Sequence, residues 1–131
     1  METTELRQAA IERKHAGYNC CQAVLGAFAD QTPYTEEQLC AIGAAFGVGM
    51  GGMEGTCGAL IGAELLLGIV QSEQRPVMRD ARMLHRAFTE TCGASLCKDL
   101  KGRDTGRVLC PCDDCVRCAV DLTEAILKRE D

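Results

Sequence analysis

Apolar residues recur at three- and four-residue spacing along nearly all of this chain. No segment sustains the period-two alternation with β-branched residues that a strand requires. That spacing dictates helices, so the fold class is all-α, and glycine, proline and capping residues cut the pattern into about five to six helices of a compact bundle. Leu6, Ala9, Ala10 and Ala16 mark a first helix ending near Gly17. Asn19 is placed to cap a second, from Cys20 to about Asp30, which buries Cys20, Val24, Ala27 and Phe28 and stops at Thr32-Pro33-Tyr34. Thr35 and Gln38 form a capping-box pattern for a third helix, to about Phe46. Gly47 to Gly55 holds too many glycines to stay helical, which predicts a Gly-rich loop with unusual backbone angles or a close approach.

Thr56 is expected to cap an apolar helix from Cys57 to about Gln71. After the polar stretch Ser72-Glu73-Gln74-Arg75, Pro76 suits the first turn of the next helix, whose inward stripe is Ala81, Leu84, His85, Phe88 and Cys92. Gly93 closes it. Ser95 opens a short turn through Lys101, residues 102–106 read as a mobile loop, and a last helix runs from about Asp113 to Arg129 with Cys115, Ala119, Leu122 and Ile126 inward. There is no repeat, low-complexity tract or linker, so residues 1–131 read as a single helical, cysteine-rich domain.

A domain of 131 residues buries roughly two-thirds of its unfolded surface and needs no covalent staples. Its ten cysteines therefore require a functional explanation. Fourteen Lys and Arg against 19 Asp and Glu, a net charge of -5, leave no basic stripe for a phosphate backbone, which excludes nucleic acid as a partner. The longest apolar stretch, Cys57 to Val70, contains Glu64 and falls short of the ~20 residues of a membrane span. Met1-Glu2-Thr3-Thr4-Glu5-Leu6-Arg7 has neither the basic start nor the apolar run of a secretory signal, so the expected location is cytoplasmic. In a reducing compartment cysteines serve metal binding or catalysis more often than permanent disulfides.

Their positions sharpen this. Cys20, Cys57, Cys97 and Cys112 each fall at or just inside an expected helix N-terminus, where free N–H groups and the positive end of the helix dipole favour the thiolate. That is the form that attacks disulfides and ligates metals, and the four ends are expected to converge on one site. Asp113 and Asp114 are expected to hold back the acidity of Cys112, whereas Lys98, Lys101 and Arg103 favour a thiolate at Cys97.

The order Asn19-Cys20-Cys21-Gln22-Ala23-Val24, a glycine-rich segment, Cys57-Gly58-Ala59-Leu60-Ile61-Gly62, then Ser95-Leu96-Cys97-Lys98-Asp99-Leu100 and a cysteine opening a C-terminal helix resembles the redox-active family named C-GCAxxG-C-C, nearly end to end. The resemblance implies a small helical redox protein of bacteria or archaea. It implies that the family's four cysteines correspond to Cys20, Cys57, Cys97 and a last position at Cys112 or Cys115. A related domain occurs in split-Soret cytochromes, which bind haem and an iron–sulfur centre. This chain departs from them in having no Cys-x-x-Cys-His, which excludes covalent haem. Gly58 and Gly62, lacking side-chain bulk one and five residues after Cys57, allow close approach to that thiol and are the candidate lining of any cofactor held there.

Two functional classes follow. In the first, thiolates exchange through mixed disulfides with a redox partner protein or a small thiophilic molecule, as a thiol–disulfide oxidoreductase or electron carrier. In the alternative, Cys20, Cys57, Cys97, Cys112 and Cys115 ligate an iron–sulfur cluster, zinc or another thiophilic metal. Cys112-x-x-Cys115-x-x-Cys118 matches three ligands of a ferredoxin run without its fourth cysteine. Met50 and Met53 with Cys57 offer soft donors for copper. Gly47, Gly49 and Gly52 spell a formal nucleotide-binding pattern with no preceding strand, which sets that reading aside. Cys21, Cys40 and Cys92 are expected to be small core hydrophobes, His85 a satisfied core histidine, His15 a surface residue, and Glu64 hydrogen-bonded or at a subunit contact. The apolar Cys57 helix is the expected contact face of a homodimer.

Overall fold

The computed structural model describes residues 3–71 and 77–129; the expectations for Pro76 and the polar stretch before it lie outside the described residues. Seven α-helices are present among them: α1 (Thr3–His15), α2 (Cys20–Ala27), α3 (Glu36–Gly43), α4 (Gly58–Gln71), α5 (Val77–Cys92), α6 (Cys97–Lys101) and α7 (Cys112–Lys128). No strand occurs among the described residues, only an isolated bridge between Thr56 and Leu96.

The helix count exceeds the expected five to six because Cys97–Lys101 winds into a short helix and not a turn. Leu96 enters it extended, Leu100 is buried beneath it, and Gly102 closes it at φ 72°. A β-carbon on Gly102 would stand 2.6 Å from the Arg107 carbonyl group, so only glycine fits there. The starts of α2 and α3 carry the expected reciprocal caps, Asn19 with Gln22 and Thr35 with Gln38, each satisfying backbone donors that would otherwise be orphaned. Helix α2 stops at Ala27, earlier than expected, and a 3₁₀ turn, Ala29–Gln31, follows.

The glycine-rich segment is not an open loop. Gly47–Met50 forms one tight turn, closed by the Gly51 N–H donating to the Gly47 carbonyl at 2.9 Å. Val48, Gly49, Met50 and Gly51 all lie at positive φ, as does Met53. A β-branched residue in the left-handed region is a steric outlier, so Val48 stores strain that the surrounding hydrogen bonds must hold. Those bonds run from the Met53 N–H to the Val48 carbonyl (2.8 Å), from the Gly55 N–H to the Gly49 carbonyl (3.0 Å), and from the Cys97 and Lys98 N–H groups to the carbonyls of Gly55 (3.0 Å) and Met53 (2.9 Å). The strained turn is thereby laced to the start of α6.

Helix α4 lies at the centre, packed between α2, α5 and α7, with α1 closing against α2 and α7. Phe28, Phe88, Leu60, Leu66, Leu67 and Val116 fill the core between them. Two glycines set the α2–α4 approach. A β-carbon on Gly58 would meet the Phe46 carbonyl at 2.8 Å, and one on Gly62 would meet the Cys21 carbonyl at 3.0 Å. On α5, His85 is exposed and pairs with Glu64 of α4 at 3.3 Å, so it is not the core histidine its place on the stripe suggests. The buried anion there is Asp80, to which Arg129 donates at 2.6 Å.

Candidate functional site

The starts of α2, α4, α6 and α7 face one another across a pocket of about 120 Å³, into which Cys20, Cys57, Cys97 and Cys112 all project, together with Lys14, Asn19, Met53, Gly58 and Lys101. Each thiol reaches it by its own local route. Cys20 is the first residue of α2 behind the Asn19 cap. Cys57 itself caps α4, its carbonyl accepting the Ile61 N–H at 3.0 Å. Thr56, expected in that role, is drawn instead into the bridge with Leu96. Cys97 and Cys112 open α6 and α7. The strained turn forms one wall: a β-carbon on Gly49 would sit 2.5 Å from that of Cys97.

The thiols come in pairs. Cys20 stands within hydrogen-bonding reach of Cys112, and Cys115 of Cys57. In each pair one sulfur is driven toward the thiolate and the other held protonated; the Cys115 S–H also stands 3.6 Å from the Cys110 carbonyl, a second acceptor for the same proton. The Cys112 thiol is lowered to about 5 by the hydrogen bond from Cys20, aided by the charge and a hydrogen bond of Lys101 and by the charge of Lys14. The Cys57 thiol is lowered to about 6 by the Cys115 hydrogen bond, aided by the backbone N–H groups of Leu60 and Ala59 at the start of α4. Cys20 and Cys115 shift the other way, held protonated by those same bonds and by burial.

Lys101 is the common cation. Its Nζ donates to Cys115 Sγ at 3.4 Å and to the Cys110 carbonyl at 3.2 Å. Burial would lower its pKa, but the sulfurs of Cys115, Cys112 and Cys57 outweigh burial and raise it. It stays charged among the thiolates it stabilises.

These electrostatics reverse the order of acidity expected from sequence. Asp113 does not suppress Cys112 because it is engaged by His15 at 2.6 Å, and Asp114 is held by Arg117 at 2.8 Å. At Cys97 the charges of Lys101 and Arg103 do favour the thiolate, but they are outweighed; Lys98 and Arg103 also turn to Glu54, at 3.6 and 2.8 Å. Burial dominates at Cys97 and raises its pKa. Cys112 is half-buried and reachable from the pocket; Cys20 behind it is buried.

Of the other residues singled out by sequence, Gly58 lines the pocket, whereas Gly62 packs against the backbone of α2. Cys115 lies fully buried behind Cys57. Met53 faces the pocket, while Met50 is exposed with its sulfur against Gly55. Cys21 is a fully buried core residue, its thiol pushed up to about 12 by burial. Sequence reasoning missed Lys14 as a site residue, and assigned Lys101 to Cys97 alone although it also serves Cys112, Cys115 and Cys57. A faint signal existed for Lys101, four residues after Cys97 and so on the same side of α6.

Residues 18–126, which contain the whole pocket, match the family model described as "Putative redox-active protein (C_GCAxxG_C_C)". The chain belongs to that family. No curated protein and no solved structure matches it. The C_GCAxxG_C_C match therefore gives the redox-active class and nothing finer, and the chemistry of the site rests on its own geometry.

Proposed function

We propose that the pocket is a thiol–disulfide redox centre in which Cys112 is the nucleophile and Cys20 the resolving thiol. The observation that carries this is the placement of Cys20 and Cys112 at two helix starts on one pocket, Cys112 half-buried and driven toward the thiolate by Cys20, Lys101 and Lys14, Cys20 buried and held protonated. The Cys112 thiolate attacks one sulfur of a substrate disulfide, forming a mixed disulfide and expelling the other sulfur as a thiolate. Cys20 then gives its proton to that departing sulfur and attacks Cys112 Sγ. The protein is left with a Cys20–Cys112 disulfide and the second substrate sulfur is released, two electrons having passed from the protein dithiol to the substrate. Lys101 and Lys14 offset the negative charge throughout. A space of about 120 Å³ suits the sulfur end of a small molecule or an extended side chain from a partner.

A second reading has its own support. Four thiols around one pocket also suit an iron–sulfur cluster held by thiolates. Cys20, Cys57, Cys97 and Cys112 would be its ligands, and the cluster would supply one-electron chemistry.

Peptide mapping after mild oxidation separates the two. The thiol reading expects a Cys20–Cys112 disulfide, reversed by dithiothreitol and abolished by Cys20→Ser or Cys112→Ser. Iron and acid-labile sulfide in stoichiometric amount after anaerobic purification, with Cys20 and Cys112 unavailable to alkylation, would replace it by the second.

A further inference from the structure

A second group of thiols, outside the pocket, converges more tightly than the first. Cys92 ends α5, Cys110 precedes α7, and Cys115 and Cys118 sit one turn apart on α7. The sulfurs of Cys92, Cys110 and Cys115 all lie within 4.8 Å of one another. Cys118 is the candidate fourth ligand: it lies one turn along α7 from Cys115 and beside Cys92, outside the mutual 4.8 Å spacing of the three, so its side chain would have to swing in to complete a tetrahedron. Cys92, Cys110 and Cys115 are buried and Cys118 half-buried.

Zinc bound by four thiolates needs Zn–S bonds of about 2.3 Å, hence sulfurs about 3.8 Å apart at tetrahedral edges. The three close sulfurs need to draw together by no more than about 1 Å. Among the described residues no other trio of cysteine, histidine or carboxylate ligands is this compact, and the pocket thiols do not form one. Carboxylate and imidazole groups are absent from the set, which selects a soft cation over calcium or magnesium.

From this geometry we infer that Cys92, Cys110, Cys115 and Cys118 form a binding site for a thiophilic d10 cation, zinc(II), distinct from the redox pocket. Binding exchanges four S–H bonds for four Zn–S bonds, releases four protons to solvent and leaves a complex of net charge −2. Lys101, 3.4 Å from Cys115 Sγ, offsets part of that charge. The ion would tie the segment 93–111, which joins α5 to α7, down at both ends. Cys110 would be fixed by it, and the Cys110 carbonyl is one of the two groups that hold Lys101. The metal would therefore set the position of the cation that serves the pocket and, by taking Cys115 as a thiolate, would remove the proton that Cys115 presents to Cys57, while taking no part in the Cys20–Cys112 exchange.

The test uses the full chain, reduced and anaerobic, titrated with Co(II) and then Zn(II). One equivalent of cobalt is expected to give the thiolate-to-metal charge-transfer and intense visible bands of a tetrahedral sulfur site, and zinc to bleach them with one-to-one stoichiometry. Cys92→Ser and Cys118→Ala are each expected to weaken binding at least tenfold. Cys20→Ser and Cys97→Ser, both in the pocket and outside the proposed metal site, are expected to leave it unchanged. Cys118 is half-buried, so its variant keeps the fold even where Cys92→Ser does not, and far-UV circular dichroism verifies this. Three results would each overturn the inference: no cobalt bands, bands lost with Cys20→Ser and Cys97→Ser but kept with Cys118→Ala, or a Cys92–Cys110 disulfide in protein handled under reductant throughout. The proposal for the pocket stands or falls separately, on its own peptide map.

Discussion

Replacing Cys20 by alanine removes the largest influence on Cys112 and leaves the remainder of the pocket in place. The thiol of Cys112 sits at about 5, with the Cys20 hydrogen bond ahead of the contributions of Lys101 and Lys14. A hydrogen bond to a charged group contributes about 1.5–3 kcal/mol, and one pKa unit corresponds to about 1.4 kcal/mol. The Cys112 midpoint should therefore rise by about one to two units, toward the range of about 6 to 7, and Cys20→Ser, whose hydroxyl still donates, should restore most of the shift. The assay is the pH profile of alkylation of the Cys112 peptide, followed by mass spectrometry with isotope-coded iodoacetamide so that the other cysteines do not interfere. Serine and alanine thus part company on acidity while both abolish the disulfide. An alkylation midpoint in Cys20→Ala unmoved from that of the parent chain would refute the pairing of these two sulfurs.

Further outcomes follow from the same geometry. Gly49→Ala forces a side chain at φ 56° and against the Cys97 β-carbon, so thermal unfolding should show a loss of about 1–3 kcal/mol and Cys97 should become more open to alkylation. Gly68→Ala is the contrasting control: this glycine is inside α4 with open space around it, and alanine should stabilise by about 0.5–1 kcal/mol in a urea titration without touching thiol reactivity. Cys112 and Cys57, lowered to about 5 and about 6 from an ordinary 9.0, are ionised in the folded chain while their unfolded counterparts still hold protons. Stability of the reduced protein should accordingly rise from pH 6 toward pH 9 and be lost as pH falls through 6 and 5. Above 9 the sign reverses, because Cys20, Cys21, Cys92 and Cys115 keep protons that the unfolded chain gives up. A flat or falling profile between 6 and 8.5, measured by denaturant titration under reductant, would contradict the two thiolates.

Local chemistry determined a good deal of this protein. Asn19 and Thr35 cap their helices as written in the sequence, because a side-chain oxygen three residues from a free N–H needs no tertiary partner. The helical period announced the all-α class, and the cysteines at the starts of four helices are the ones that line the pocket. What sequence could not supply was direction. Asp113 and Asp114 are the immediate neighbours of Cys112 along the chain, yet His15 from α1 and Arg117 take them up, and the charge that reaches Cys112 comes from Lys101 on α6. Lys98 and Arg103, near Cys97 in sequence, likewise pair with Glu54 on the glycine-rich segment. Adjacency in sequence fixes neither the side a charge faces nor the partner that claims it; electrostatic interaction falls off with distance through space, and only the packing of α1, α6 and α7 sets those distances. The gathering of Cys92 with Cys110 and Cys115 is of the same kind, since no spacing between the end of one helix and the start of another discloses that the two lie side by side.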